Sequence, residues 1–230
     1  MEPVFLAFVR LVVSGHIDDV ARRLVASPAL ATLSLGVGAT RQEASTFFFT
    51  EIAHYIYAGD TALHMAAAAF RRQVAKLLIA NGADCRATNR RGAEPLHYAA
   101  DANHRDPTAQ AEVIEYLTSA GADPNAPDRS GVTPLHRAVR TRSLSAVRAL
   151  IDAGANPTLP NKAGSTPLHL AVQNTGRGGS GSQEARQEQA AIIRLLLERG
   201  ARPTDQDRRG KGVLQAATSE WIRTLLEDAG

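Results

Sequence analysis

The chain has 230 residues, 44% hydrophobic and 21% charged, with 26 basic and 23 acidic side chains and a formal net charge of +3. That balance describes an ordinary chain with ample core and too little positive charge for a dedicated polyanion binder. The single cysteine, Cys85, excludes an intrachain disulfide and fits a reducing compartment, while 5% aromatic content points to a core of small aliphatic residues.

Taken from the start, the apolar run Val4 to Val13 is too short to span a bilayer. Glu2, Arg10 and the want of a small-residue cleavage site argue against a signal peptide, so a cytoplasmic chain is expected. Ser14 to Val25 reads as a turn and a second helix, making residues 1–27 a helix pair. Residues 28–55 break this pattern at Pro28 and Gly36-Val37-Gly38. The segment 43–57 then gathers Phe47, Phe48, Phe49, Ile52, Tyr55, Ile56 and Tyr57. The spacing 48, 52, 55, 56 predicts a helix that completes the core of the next unit, with an aromatic ligand platform as the alternative.

Beyond residue 56 the chain repeats. Thr61-Ala62-Leu63-His64, Glu94-Pro95-Leu96-His97, Thr133-Pro134-Leu135-His136 and Thr166-Pro167-Leu168-His169 are one phrase, their leucines 33, 39 and 33 residues apart. A worn copy follows at Gly212-Val213-Leu214-Gln215. A second phrase closes each unit on Gly82-Ala83, Gly121-Ala122, Gly154-Ala155 and Gly200-Ala201. The period of 33 with a T-P-L-H-x-A core resembles the ankyrin repeat, over roughly three quarters of the chain. The resemblance implies an all-α solenoid of helix-turn-helix units with β-turn fingers, and a protein-binding concave face made of turn tips and first helices. Residues 1–230 then form one domain. It comprises a cap unit 1–27, a non-repeat insertion 28–55, repeats 56–88, 89–127, 128–160 and 161–206, and a cap unit 207–230.

The residues themselves say why the phrase recurs. Thr at the N-cap accepts from an orphan backbone N–H, and Pro at the first helical position gives up no intrahelical bond. Gly82, Gly121, Gly154 and Gly200 fall where a left-handed residue ends the second helix. Two inserts lie between first and second helices, six residues around Asp101 to Ala111 and thirteen around Thr175 to Gln189. Asp106-Pro107 and Ser182 predict early starts for the second helices there.

Chemistry is sparse. Gly176 to Gly181 fits G-x-G-x-x-G formally, but a helix and not a strand precedes it, so it reads as a linker-like loop. His64, His97, His136 and His169 occur once per unit, about 10 Å apart if units stack like packed helices, too far to share a metal. His54 and His104 have no ligand partner at metal-binding spacing, and Cys85 has no base partner. No metal, no cofactor, no catalytic residue and no enzymatic activity are expected.

Aligned turn tips carry basic residues: Arg90 and Arg91, Arg129, Lys162, then Arg208 and Arg209. The inner helices add Arg137, Arg140 and Arg142 beside Tyr98 and Gln173, with Asp101 as the main opposing acid. Arg137 and Arg140 are read as solvent-facing. These residues, Arg142 and Asp101 apart, form the expected partner site of a monomeric, non-catalytic module for a protein with an acidic surface. A solubility face, nucleic-acid or other polyanion binding at the tips, and a small-ligand or enzymatic site at 43–57 are the alternatives. The net charge of +3, without stacking aromatics at the tips, disfavours nucleic acid.

Overall fold

A computed structural model describes residues 2–40, 45–101, 106–174 and 181–228. The described residues form six helix pairs. These are α1 (Glu2–Ser14) with α2 (Ile17–Ala26), α3 (Ala62–Ala68) with α4 (Arg72–Ala80), and α5 (Pro95–Ala99) with α6 (Pro107–Ser119). Then come α7 (Pro134–Arg140) with α8 (Leu144–Asp152), α9 (Pro167–Ala171) with α10 (Gln183–Glu198), and α11 (Val213–Ala216) with α12 (Glu220–Glu227). First helices stack on first helices from α1 to α11, and second helices on second helices from α2 to α10. Close approach is possible because the inner rows are small: Ala66, Ala67, Ala99 and Ala138 are fully buried around Leu63, Leu96, Leu135 and Leu168. The result is one continuous apolar core from Phe5 to Leu226.

From the second helix pair onward, the repeated histidine joins each unit to the next. Thr61 N–H donates to His64 Nδ1 (3.1 Å), so Nε2 carries the proton and donates to the Ala93 carbonyl of the following unit (3.0 Å). His97 to Val132, His136 to Ser165 and His169 to Lys211 repeat the bond at 3.0, 3.0 and 3.3 Å. Burial lowers the pKa of His64 and His136, and lowers that of His97 to about 4 with help from Arg137. Neutral imidazole is the form that accepts at one nitrogen and donates at the other.

Four of the connections between successive pairs are fingers of equal length, residues 81–94, 120–133, 153–166 and 199–212. The connection 27–61 stands in the same place and is far longer. It is tied down at its base, where Leu35 N–H donates to the Asp60 carbonyl and Gly59 N–H to the Leu35 carbonyl, both at 2.8 Å. The helix expected within 43–57 is not present among its described residues. Instead β1 (Phe48–Phe49) and β2 (His54–Tyr55) form an antiparallel ribbon joined by a 3₁₀ turn, with Phe48 opposite Tyr55 and Phe49 opposite His54. Consecutive aromatics favour extended backbone, and Ala53 at φ 48° reverses the chain. Phe47, Phe49, Ile52 and Ile56 are buried, so this segment does contribute to the core. Residues 43 and 44 lie outside the described residues, as do His104 and positions 176–180 of the glycine-rich loop.

The two inserts meet one structural demand in the same way. In compact units the Ala66 carbonyl accepts from Arg71 N–H (2.9 Å) and the Ala138 carbonyl from Ser143 N–H (3.1 Å). In the inserted units the equivalent carbonyls of Ala99 and Ala171 accept from the side chains of buried Gln110 (2.8 Å) and Gln189 (2.7 Å). The second helices start early, as expected. Asp106 caps α6 by accepting from Ala109 N–H (3.0 Å), and Ser182 caps α10 by accepting from Ala185 N–H (3.3 Å).

Among the four full repeats, one departs from the repeated threonine. Glu94 stands at the N-cap of α5 with 6% exposure, and its Oε2 has no hydrogen-bond partner among the described residues. Burial, reinforced by Asp123 and Asp84, pushes its carboxyl up to about 7 against the opposing pull of Arg86.

Two predictions follow from these positions. Gly131 (φ 75°) and Gly154 (φ 93°) are both left-handed, but a Cβ at Gly131 would lie 2.7 Å from the Lys162 nitrogen, whereas one at Gly154 meets nothing within 4 Å. Gly154→Ala is expected to cost about 1 kcal/mol from backbone strain, and Gly131→Ala more, because a neighbouring backbone must move. Urea denaturation of the two variants checks this order. For Glu94 the folded pKa lies above the unfolded one, so its contribution is most favourable below about pH 4.5 and worsens as pH rises to 7. Glu94→Thr is expected to raise stability by about 1 kcal/mol at pH 8.5. The gain should shrink towards pH 5, measured by urea midpoints at both pH values.

Candidate functional site

Each of the last four finger tips is shaped by one Asn or Asp. Asn89 Oδ1 accepts from the N–H groups of Arg91 and Ala93, Asp128 from Ser130 and Val132, Asn161 from Ala163 and Ser165, and Asp207 from Arg209 and Lys211. The tips are also laddered to one another. Arg90 N–H donates to the Ala58 carbonyl, Arg129 to Arg91, Lys162 to Ser130 and Arg208 to Ala163, at 2.9–3.0 Å. Equivalent basic residues therefore succeed one another at the spacing of a backbone hydrogen bond. Tyr57 takes the equivalent position in the first finger. Its N–H has no earlier tip to reach and donates to Asp60 Oδ2 at 2.6 Å.

Between the first three tips and helices α5 and α7 lies a cleft of about 610 Å³. Arg90, Arg91, Tyr98, Arg129, Arg137 and Arg140 line it, so six of the ten expected site residues come together. Lys162, Gln173, Arg208 and Arg209 do not line it; they are exposed further along the stack. His54 and Tyr57, from the long first connection, supply its aromatic wall. His54 Nδ1 lies 2.6 Å from the Tyr55 carbonyl and must donate to it, which leaves Nε2 as an acceptor. The His54 ring packs 4.6 Å from that of Tyr98, and burial lowers its pKa despite nearby Asp101. Arg91 lies over the Tyr57 ring, with Cζ 4.2 Å from the centroid.

Three expectations are corrected here. Arg137 is not solvent-facing: its side chain is 11% exposed, because it bridges Asp101 at 2.9 Å and Asp128 at 3.4 Å. Tyr98 is only 2% exposed, and its hydroxyl donates to Asp60 at 2.9 Å. The acids are not limited to Asp101, since Asp60 and Asp128 belong to the same network. Arg140 is exposed as expected and pairs with Asp101 at 3.2 Å. Arg142 leaves the site altogether, since it donates to the Gln173 and Asn174 carbonyls at the end of the next unit's first helix. Cys85 is unsuited to nucleophilic work: burial raises its pKa, and its thiol donates to the Ala120 carbonyl.

The buried centre of this network is Asp60, fully enclosed. It accepts from Tyr57 N–H, from Asn89 Nδ2 (2.9 Å) and from the Tyr98 hydroxyl. No cluster of His, Cys, Asp and Glu able to hold a metal occurs among the described residues. A family model for ankyrin repeats (3 copies) matches residues 39–128 and 107–207, well over half of the chain. The chain belongs to the ankyrin-repeat family. Comparison with curated proteins gave no match. Within the ankyrin stack, Asp60 sits where later units have Ala93, Val132 and Ser165, and Tyr57 sits where they have Arg90, Arg129 and Lys162. That one-unit extension of the alignment was the available signal for both residues, and for the cleft's aromatic wall.

Asp60→Asn replaces an acceptor of three donors by a group that itself donates. The variant is expected to lose about 2 kcal/mol of stability, and Tyr98→Phe about 1 kcal/mol, as buried partners go unpaired. Chemical denaturation of each single variant and of the double variant measures the coupling, which should be clearly non-additive.

Proposed function

We propose that this ankyrin-repeat chain is a non-catalytic module that binds a protein partner with an acidic surface. Binding uses the concave face of finger tips and first helices, centred on the cleft between the first three tips. The observation that carries this reading is the tip ladder. Backbone bonds fix Arg90, Arg129, Lys162 and Arg208 in one row, while the acids beneath are buried and paired. A row of exposed cations over masked anions presents a positive field to an approaching partner. Members of this family are generally protein-interaction modules and typically non-catalytic. A monomer in the cytoplasm, without metal or cofactor, completes the proposal; no helix among the described residues is long and apolar enough to cross a membrane.

A second reading retains some support. His54 and Tyr57 of the 43–57 segment do face the cleft, as a small-ligand site would require. Polyanion binding at the tips draws less support, because the tip aromatic Tyr57 is already engaged by the guanidinium groups of Arg90 and Arg91.

The triple variant Arg91→Glu, Arg129→Glu, Lys162→Glu tests the proposal. Its helical circular dichroism and melting temperature are expected to stay near wild type, since these side chains are exposed. Capture of partners from a lysate of the native host, read by mass spectrometry, should drop most at low salt. Equal capture by wild type and variant would reduce the row to a solubility face.

A further inference from the structure

Five arginines and two aspartates line the cleft, with Asp60 buried behind it, and they are not equivalent. Asp60 is enclosed and satisfied by three donors. Asp101 and Asp128 are 10% exposed at their side chains and are engaged by Arg137. Arg140 completes the second oxygen of Asp101 and remains 61% exposed. Arg90 donates to the Ala39 carbonyl. Arg91 and Arg129 are different: both are exposed on the cleft, and neither has an acidic partner among the described residues.

These two guanidinium groups are also held in place. Arg91 rests on the Tyr57 ring, with Cζ 4.2 Å from the centroid. The stem of Arg129 lies against the preceding finger, where a Cβ added to Gly92 would stand 3.0 Å from Arg129 Cγ. A cation with restricted rotamers loses less freedom when it captures an anion. His54 lines the same cleft, and its tautomer, set by the Tyr55 carbonyl, makes Nε2 an acceptor. The site therefore combines two anion-binding forks with one neutral acceptor.

We propose that this cleft is an anchor for a single anionic side chain carried on an extended segment of the partner. Arg91 and Arg129 receive the anion, and His54 Nε2 accepts an N–H from the same segment. The complement of a planar fork is a carboxylate or a phosphate monoester, and the adjacent acceptor requires a donor a short distance away, which a peptide backbone supplies. A free inorganic anion would leave His54 unused, and a duplex would present phosphates without a nearby donor. The proposal rests on the reading of the chain as an interaction module and specifies which feature of the partner is read.

The test uses the full chain and pools of fluorescein-labelled nonapeptides, randomised except for a central Glu, Asp, phosphoserine, Ala or Lys. Anisotropy titrations should show the Glu, Asp or phosphoserine pools binding at least about tenfold more tightly than the Ala and Lys pools. A marked preference for phosphoserine over Glu would identify the anion as a phosphate monoester, and a preference for Glu or Asp over phosphoserine a carboxylate; parity would support the anchor as one that reads charge alone. Arg91→Ala and Arg129→Ala should each abolish the preference, while Arg148→Ala, an exposed change on α8, should retain it. His54→Phe should weaken all anionic pools, and His54→Gln should restore part of the loss. Equal binding by acidic, Ala and Lys pools would overturn the anchor and leave the interaction module standing. No binding by any pool up to millimolar concentration would also overturn the anchor, with partner capture from the lysate deciding the wider reading separately.

Discussion

The stack depends on a neutral imidazole that faces two ways. In each unit the histidine accepts from the backbone at the start of its own helix and donates to a carbonyl at the root of the next finger. A protonated ring would lose the first bond; burial lowers the pKa of His64 and His136, and that of His97 to about 4, which favours the neutral form there. The bond therefore fixes the helix start and the position of the next finger together. Once that distance is fixed, the tips fall within reach of one another and their backbones pair. The row of basic side chains is a consequence of this geometry more than of any direct contact among them.

Much of the architecture could be read from the residues because it is local and repeated. Thr-Pro at a helix start, a left-handed glycine at its end and Asp106-Pro107 before a lengthened helix each carry their meaning within a few positions. The aromatic segment was harder. Its apolar residues fit a helical spacing as well as an alternating one, and the choice was made by distant partners: Phe49 and Ile52 bury against the α1 side of the core while Tyr57 turns toward the next finger. Six of the expected site residues share the cleft, yet their exposures differ in ways the sequence does not show. Arg137 and Tyr98 occupy the same column as the variable residues of other units, and only the third dimension brings Asp60, Asp101 and Asp128 beneath them.

That arrangement separates the two charges of the site by depth. Carboxylates are placed low, where each is satisfied by an arginine, an amide, a hydroxyl or backbone N–H groups. Apart from Arg137, which pairs with those acids, the guanidinium groups are placed high, where water screens them until a partner excludes it. A chain with nearly balanced composition thereby presents a local field that its net charge of +3 understates. The first connection adds the apolar wall that a simple row of arginines lacks.

Gln110 and Gln189 extend this argument to how such a chain can change. In compact units the loop leaving a first helix must return a backbone N–H to a particular carbonyl, so its path is constrained by the helix it has just left. Where a glutamine from the second helix donates to that carbonyl, the carbonyl is satisfied whatever path the loop takes. Its length then becomes a free variable, limited only by the slowly growing entropy of closing a longer segment. The two positions that already carry extra residues are thus the ones where foreign sequence can be grafted without disturbing the helices on either side.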